Sequence, residues 1–205
     1  MRSVRGVFML MVISCAPVAK VFAQTEDITS RFYFPGSIGI GVPFNNVHTK
    51  LNDGLIVNTA VEYRPTYIND IFYRIDYDAL TNNYISYVPT IPTNIIKGKL
   101  SSDFLVAGAG YRQKFRRWAA YLLIQPGLGI HSFERAVVMQ NGVLLTTKTS
   151  SSFAVKADAG LEYYITRHFA GVFSPSFYKL FSHTGFNNSH SRFVGFNIGI
   201  TTTIL

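Results

Sequence analysis

Ionisable residues recur at even spacings inside stretches that are otherwise apolar: Glu62 with Arg64, Arg74 with Asp76, Lys156 with Asp158 and Glu162, and Arg112 by itself. In an extended chain, residues two apart point to the same side. Each group therefore presents its charges on one face, with an apolar row on the other. Two kinds of chemistry suit such a set. Opposite charges packed closely can pair, which offsets the loss of bulk water. Alternatively, they can line a narrow ion path or a gated pore. A pore needs small residues along its wall, and these side chains are long. A structural network of salt bridges is the expected role.

The histidines offer the other chemistry to weigh: His48, His131, His168, His183 and His190. A lipid A deacylase or phospholipase needs a serine and a histidine on one face, with an acid or amide to orient the ring. On a strand that means a spacing of two. His131-Ser132 and His190-Ser191 are adjacent, so each pair points to opposite faces where the chain is extended. His183 and His190 fall in a polar segment that could fold them together with Ser189. Ordinary exposed histidines account for the set more simply. No carboxylate pattern supports a metal at these rings. No phosphate loop, dinucleotide fingerprint or zinc motif is present, so neither a cofactor nor catalysis is expected.

The elements that would hold the charges are strands. The clearest is Arg192–Leu205, where Val194, Phe196, Ile198, Ile200 and Ile204 alternate with Gly195, Asn197, Gly199, Thr201 and Thr203. Period-two alternation also runs through Arg31–Phe44, Leu55–Pro65, Asp70–Leu80, Trp118–Phe133, Ser152–Ile165 and Phe169–Phe181, and Ser101–Phe115 is a further strand, rich in glycine and alanine, whose parity is ambiguous. The third of these carries Arg74, Asp76 and Asp78 on its inner face. Pro126 lacks a ladder donor and marks an expected bulge. Long connections at Asn45–Gly54, Ala79–Leu100, Glu134–Ser151 and Ser182–Ser191 alternate with short turns at Thr66–Asn69, Arg116-Arg117 and Thr166-Arg167-His168. Asn141-Gly142 is a hairpin-tip signal. Long and short connections in alternation, with an even strand count, describe a closed membrane barrel.

Composition agrees. Hydrophobic content of 48% and mean hydropathy of +0.18 are high for a chain with no apolar run of about 18 residues after its start. The start reads as an export signal: Arg2 and Arg5, an apolar core Val7–Ile13, then Val21-Phe22-Ala23, with cleavage before Gln24. Residues 1–23 are thus the signal peptide and 24–205 a single barrel domain. Val12-Ile13-Ser14-Cys15 resembles a lipobox, the alternative processing site. Cys15 is the sole cysteine, so the exported chain has no disulfide and no thiol nucleophile. Removing Arg2, Arg5 and Lys20 from 19 cations leaves 16 against 11 anions, a net charge of +5. That mild basicity suits an anionic lipid surface. It does not indicate nucleic acid, because no cationic cluster alternates with stacking aromatics.

The export signal, the eight spans and the glycine-rich last strand resemble the small eight-stranded outer-membrane barrels of the OmpA/OmpX type. The composition is most similar to the Bacteroidota outer-membrane β-barrel domain proteins, which include PorT-like members. The resemblance implies an all-β, eight-stranded antiparallel up-and-down transmembrane β-barrel in the bacterial outer membrane, reached by Sec-type export. It implies contact with outer-membrane lipid and lipopolysaccharide, and with the barrel-assembly machinery during insertion. That machinery often reads a terminal aromatic residue, whereas this chain ends in Ile204-Leu205. Outward aromatics near strand ends, such as Phe32, Tyr63, Trp118 and Tyr163, suit interfacial girdles. The loops would supply contacts to an extracellular or envelope protein through Asn45, Asn46, Thr81, Asn82, Asn83, Tyr84, Tyr87, Asn187 and Asn188. The expected role of this monomer is structural or interactional. The runners-up are a lipid-modifying enzyme, a narrow channel and a soluble lipocalin-like binder with the opposite face parity.

Overall fold

The computed structural model describes residues 31–44, 49–65, 70–86, 97–139, 142–166, 168–181 and 192–203. The export signal, Cys15, the Thr66–Asn69 turn, the Ser182–Ser191 loop and the terminal Ile204-Leu205 lie outside these residues. So do His48, His183 and His190, and the loop positions Asn45, Asn46, Tyr87, Asn187 and Asn188.

The strands are β1 (Phe32–Phe44), β2 (Thr49–Tyr63), β3 (Ile71–Ser86), β4 (Lys97–Phe115), β5 (Trp118–Met139), β6 (Gly142–Tyr164), β7 (Phe169–Leu180) and β8 (Arg192–Thr203). Each pairs antiparallel with its sequence neighbour, and β1 closes on β8 from Tyr33 opposite Thr203 to Phe44 opposite Arg192. Closure leaves no strand of the barrel wall with an open edge. The period-two pattern explains which face goes where. Ile38, Leu122 and Ile198 are 64%, 65% and 68% exposed, while Glu62, Asp76 and Gln125 are fully enclosed. A soluble barrel would invert this, so the lipocalin-like parity is not the one adopted.

Several strands run further than their alternation suggested. The stretch expected as the loop Ala79–Leu100 contains the upper part of β3 and the start of β4, still in register at Ile85 opposite Lys97. Glu134–Ser151 is almost wholly strand: β5 and β6 remain paired to Met139 opposite Gly142, which places Gly142 of the expected tip in β6, while Asn141 lies outside the described residues. The cause is local. Valine, leucine and threonine fill this segment, and these residues favour extended backbone, so the hairpin ladder continues whatever the polarity of the side chains between them. The first long connection is shorter than expected as well, because β2 begins at Thr49.

The expected bulge at Pro126 is absent. Register is continuous through Gln125–Lys156, Pro126–Val155 and Gly127–Ala154 on one side, and across to β4 on the other. The proline points outward, and the β4 ladder lapses only at Ala107-Gly108, opposite it. The missing donor thus opens the ladder without inserting a residue. The irregularity falls instead in β2, where Leu51 faces Tyr84 but Gly54 faces Asn82. The Asn82 amide donates to the Asn52 carbonyl at 2.9 Å across the extra residue.

Two other local features matter below. Gly160 lies against Tyr121, whose ring carbon would come within 2.3 Å of an added Cβ, so this glycine makes the space in which the tyrosine crosses the lumen. Arg116, first residue of the β4–β5 turn, has φ of 54°. That left-handed geometry costs about 1 kcal/mol for a residue with a Cβ, and Asn or Gly is the usual occupant.

Candidate functional site: an ion-paired lumen beneath an apolar plug

Strand parity brings the charges of β2, β3, β4 and β6 into one interior column. Nearest the short turns, Arg64 Nε donates to Glu62 Oε1 at 2.5 Å and Arg64 Nη1 to the Tyr164 hydroxyl at 2.9 Å. Its guanidinium lies 3.4 Å from the centroid of the Tyr33 ring. Arg112 grips both oxygens of Glu62, at 2.7 and 3.2 Å, and reaches Glu162 Oε1 at 2.8 Å. Tyr164 donates to the other oxygen of Glu162 at 2.8 Å.

One layer up, Arg74 bonds Asp76 Oδ1 at 2.9 Å and Asp158 Oδ2 at 2.6 Å. Its Nη1 is also 3.9 Å from Glu62, linking this layer to the one below. Above that, Lys156 Nζ donates to Asp76 Oδ2 at 2.6 Å and to both oxygens of Asp78, at 3.1 and 2.9 Å. Asn58 donates to Asp78 at 2.6 Å.

All eight residues singled out from the sequence face inward, and together they form one continuous chain of ion pairs. Asp78 is a ninth member. Its parity marked the correct face, but only the β2–β3 register, which sets Asn58 opposite Asp78, shows that it completes the top layer. The tyrosines that brace the arginines (Tyr33, Tyr121 and Tyr164) carried no comparable signal. Five carboxylates thus meet four interior cations. Lys114 adds a fifth cation at the mouth on the short-turn side, 4.9 Å from the centroid of the Tyr164 ring. Breaking any one pair would leave a charge in a low-dielectric interior, and this confers specificity on the arrangement.

Toward the long connections the filling changes character. Ile56, Leu80, Leu100, Phe104, Val106, Phe133, Tyr178, Leu180 and Phe193 form one buried cluster. Phe104 and Tyr178 stack with ring centroids 5.0 Å apart. Two residues expected as loop contacts belong to this region: Asn82 is fully buried, and Tyr84 donates its hydroxyl to the Glu134 carbonyl. Thr81 and Asn83 face outward on β3.

Within the plug, His131 Nδ1 sits 2.7 Å from Ser102 Oγ. Ser132, the serine adjacent in sequence, does face the other way and meets Thr149 at 3.0 Å. The pairing with Ser102 was accessible from the sequence, because both residues lie fourteen positions from the Arg116-Arg117 turn and so stand opposite one another. Both are buried, the ring's Nε2 has no partner, and the edge of His131 packs on Phe104. A substrate has no approach to this pair. His168, by contrast, is exposed beside the β6–β7 turn.

No family model matches the chain, and no curated protein matches it in sequence. Solved structures do share its shape. Neisserial surface protein A (NspA) aligns with a TM-score of 0.57 at 15% identity, over 84% of this chain and 97% of its own. The outer membrane protein OprG from Pseudomonas aeruginosa aligns with a TM-score of 0.52 at 9% identity, over 85% and 96%. The fold is that of the small outer-membrane barrels. At such identities the likeness is one of architecture. Within that architecture, the small-barrel lumen of this chain is closed by its own ion pairs and plug.

Proposed function

We propose that the chain is an integral outer-membrane barrel whose role is structural or interactional, with its contact surface at the end carrying the long connections. The observation that supports membrane insertion is the inversion of the two faces: exposed isoleucine, leucine and phenylalanine outside, enclosed ion pairs inside. Nothing compensates an exterior of that kind in water, whereas acyl chains match it. The plugged lumen argues against conduction. The inaccessible Ser102–His131 pair argues against lipid hydrolysis.

The surface role rests on the β5–β6 ribbon. Above Phe133 β5 has no β4 partner, and above Phe153 β6 has no β7 partner among the described residues. Among the described residues the ribbon therefore continues past its last ladder partners on β4 and β7, apart from the Tyr84 hydroxyl on the Glu134 carbonyl, and a strand edge of this kind can pair with an incoming strand.

Fractionation with gel mobility tests the reading. The folded protein is expected in the outer-membrane fraction and should migrate faster unheated than boiled. A variant joining Phe133 to Lys148 through Asn-Gly should keep that shift and lose the contact that the whole chain confers on cells. Recovery in the soluble fraction would contradict insertion. Undiminished cell contact by the shortened variant would contradict the surface role.

A further inference from the structure

The turn between β4 and β5 carries two arginines, and places the first where the backbone would favour another residue. Arg116 holds a left-handed φ of 54° in a two-residue connection for which Asn and Gly are the low-energy choice. Neither guanidinium takes part in the lumen network, and both are exposed. The main chain beneath them is pinned: the Tyr164 amide donates to the Arg117 carbonyl at 2.8 Å, and Phe115 stands opposite Trp118.

Directly below, on the outer face, lies a patch of aromatic side chains. Trp118 and Tyr163 pack with centroids 4.8 Å apart and planes tilted by 51°, and Phe115 is 46% exposed beside them. Gln113 is exposed on the same outward face. Among the described residues at this end, Asp70 is the one exposed acid, since Glu62 and Glu162 are bound to Arg64 and Arg112. Rings at headgroup depth with cationic forks just beyond them match a phospholipid: glycerol and upper acyl carbons against the aromatics, phosphate oxygens against the guanidiniums.

We infer that Arg116 and Arg117, with Gln113 and the Trp118–Tyr163 pair, form a binding site for an anionic phospholipid headgroup in the leaflet that faces the short turns. This rests on the membrane placement proposed above. Arg116 occupies a costly turn position because the phosphate contact offsets its backbone strain. Lipid bound there would also fix the depth of the short-turn rim.

Trp118 is the only tryptophan in the chain, so the site carries its own reporter. The purified barrel is reconstituted in phosphatidylcholine vesicles in which one lipid in ten carries brominated acyl chains. The brominated lipid is phosphatidylglycerol in one arm and phosphatidylcholine in the other. The wild-type chain should show stronger Trp118 quenching by the anionic lipid, corresponding to a local enrichment of about fivefold per arginine. Arg116→Asn with Arg117→Gly should remove that excess. The change at 116 relieves the left-handed position, and gel mobility verifies that the variant folds. Equal quenching by the two lipids in the wild type, or an excess unchanged in the variant, would overturn the site. Quenching by neither lipid would instead overturn the membrane placement, and the lipid site with it.

Discussion

Toward the short turns the barrel is filled by Glu62, Arg64, Arg74, Asp76, Asp78, Arg112, Lys156, Asp158 and Glu162, joined oxygen to nitrogen from layer to layer. Toward the long connections the same strands fill it with Ile56, Leu80, Phe104, Phe133, Leu180 and Phe193. Both halves are filled by side chains, yet by different physics. The ionic half tolerates little: every carboxylate is committed to a partner on another strand, and removal of one unbalances the charges of a network in a medium that screens poorly. The apolar half is graded, because losing a methylene forfeits contact area and leaves a cavity whose cost follows its volume. The strands also divide the work unevenly. β2, β3, β4 and β6 supply all the interior ion pairs, while β1, β7 and β8 contribute serine, asparagine, threonine and glycine facing the column.

If the halves differ in kind, conservative replacements should separate them more cleanly than deletions do. The largest effect is expected for Glu62→Ala, which takes from Arg64 and Arg112 the carboxylate they share and leaves them both to Glu162. Urea unfolding in bilayers, followed through Trp118, should show a loss of about 5 kcal/mol, and Glu62→Gln should retain most of that loss. Phe104→Ala comes next at about 3 kcal/mol, but Phe104→Leu should cost only about 1 kcal/mol. A Glu62→Gln penalty no larger than that of Phe104→Leu would remove the distinction. The smallest effect belongs to the polar inclusion within the plug. Ser102→Ala deletes one hydrogen bond and leaves His131 Nδ1 unmatched, for about 1–2 kcal/mol. A loss above that of Phe104→Ala would mean that the pair, and not the rings around it, holds the upper half together.

Much of this was legible in the sequence for a simple reason. A period of two with a charge at every inward step, as in Arg74-Ile75-Asp76-Tyr77-Asp78, admits one assignment of faces. Length was harder to read. The upper reaches of β5 and β6 carry threonine, lysine and serine, and such residues look like loop although the two strands stay paired to each other. The plug was hidden by a different effect. In Phe104-Leu105-Val106 and Leu122-Leu123-Ile124 both faces are apolar, one meeting the exterior and the other the lumen, so alternation disappears where the packing is densest. Pro126 misled because a missing donor was equated with an inserted residue, when an outward proline can leave the register intact. Asn82 and Tyr84 misled in the opposite direction, as turn-type residues that the continuing β3 ladder turns into the lumen.

The inversion of faces itself is tested most directly at two adjacent positions of β8. Ile198 is 68% exposed and Asn197 is 4% exposed. With Cys15 replaced by serine, a single cysteine is placed at position 198 or at 197 and spin-labelled in the reconstituted barrel, and its collision rates with oxygen and with a water-soluble nickel chelate are compared. The label at 198 should collide freely with oxygen, which partitions into acyl chains, and hardly at all with the nickel complex, while the label at 197 should be shielded from both. A label at 198 that meets the nickel complex as readily as an exposed label on Arg116 would contradict a lipid-facing exterior.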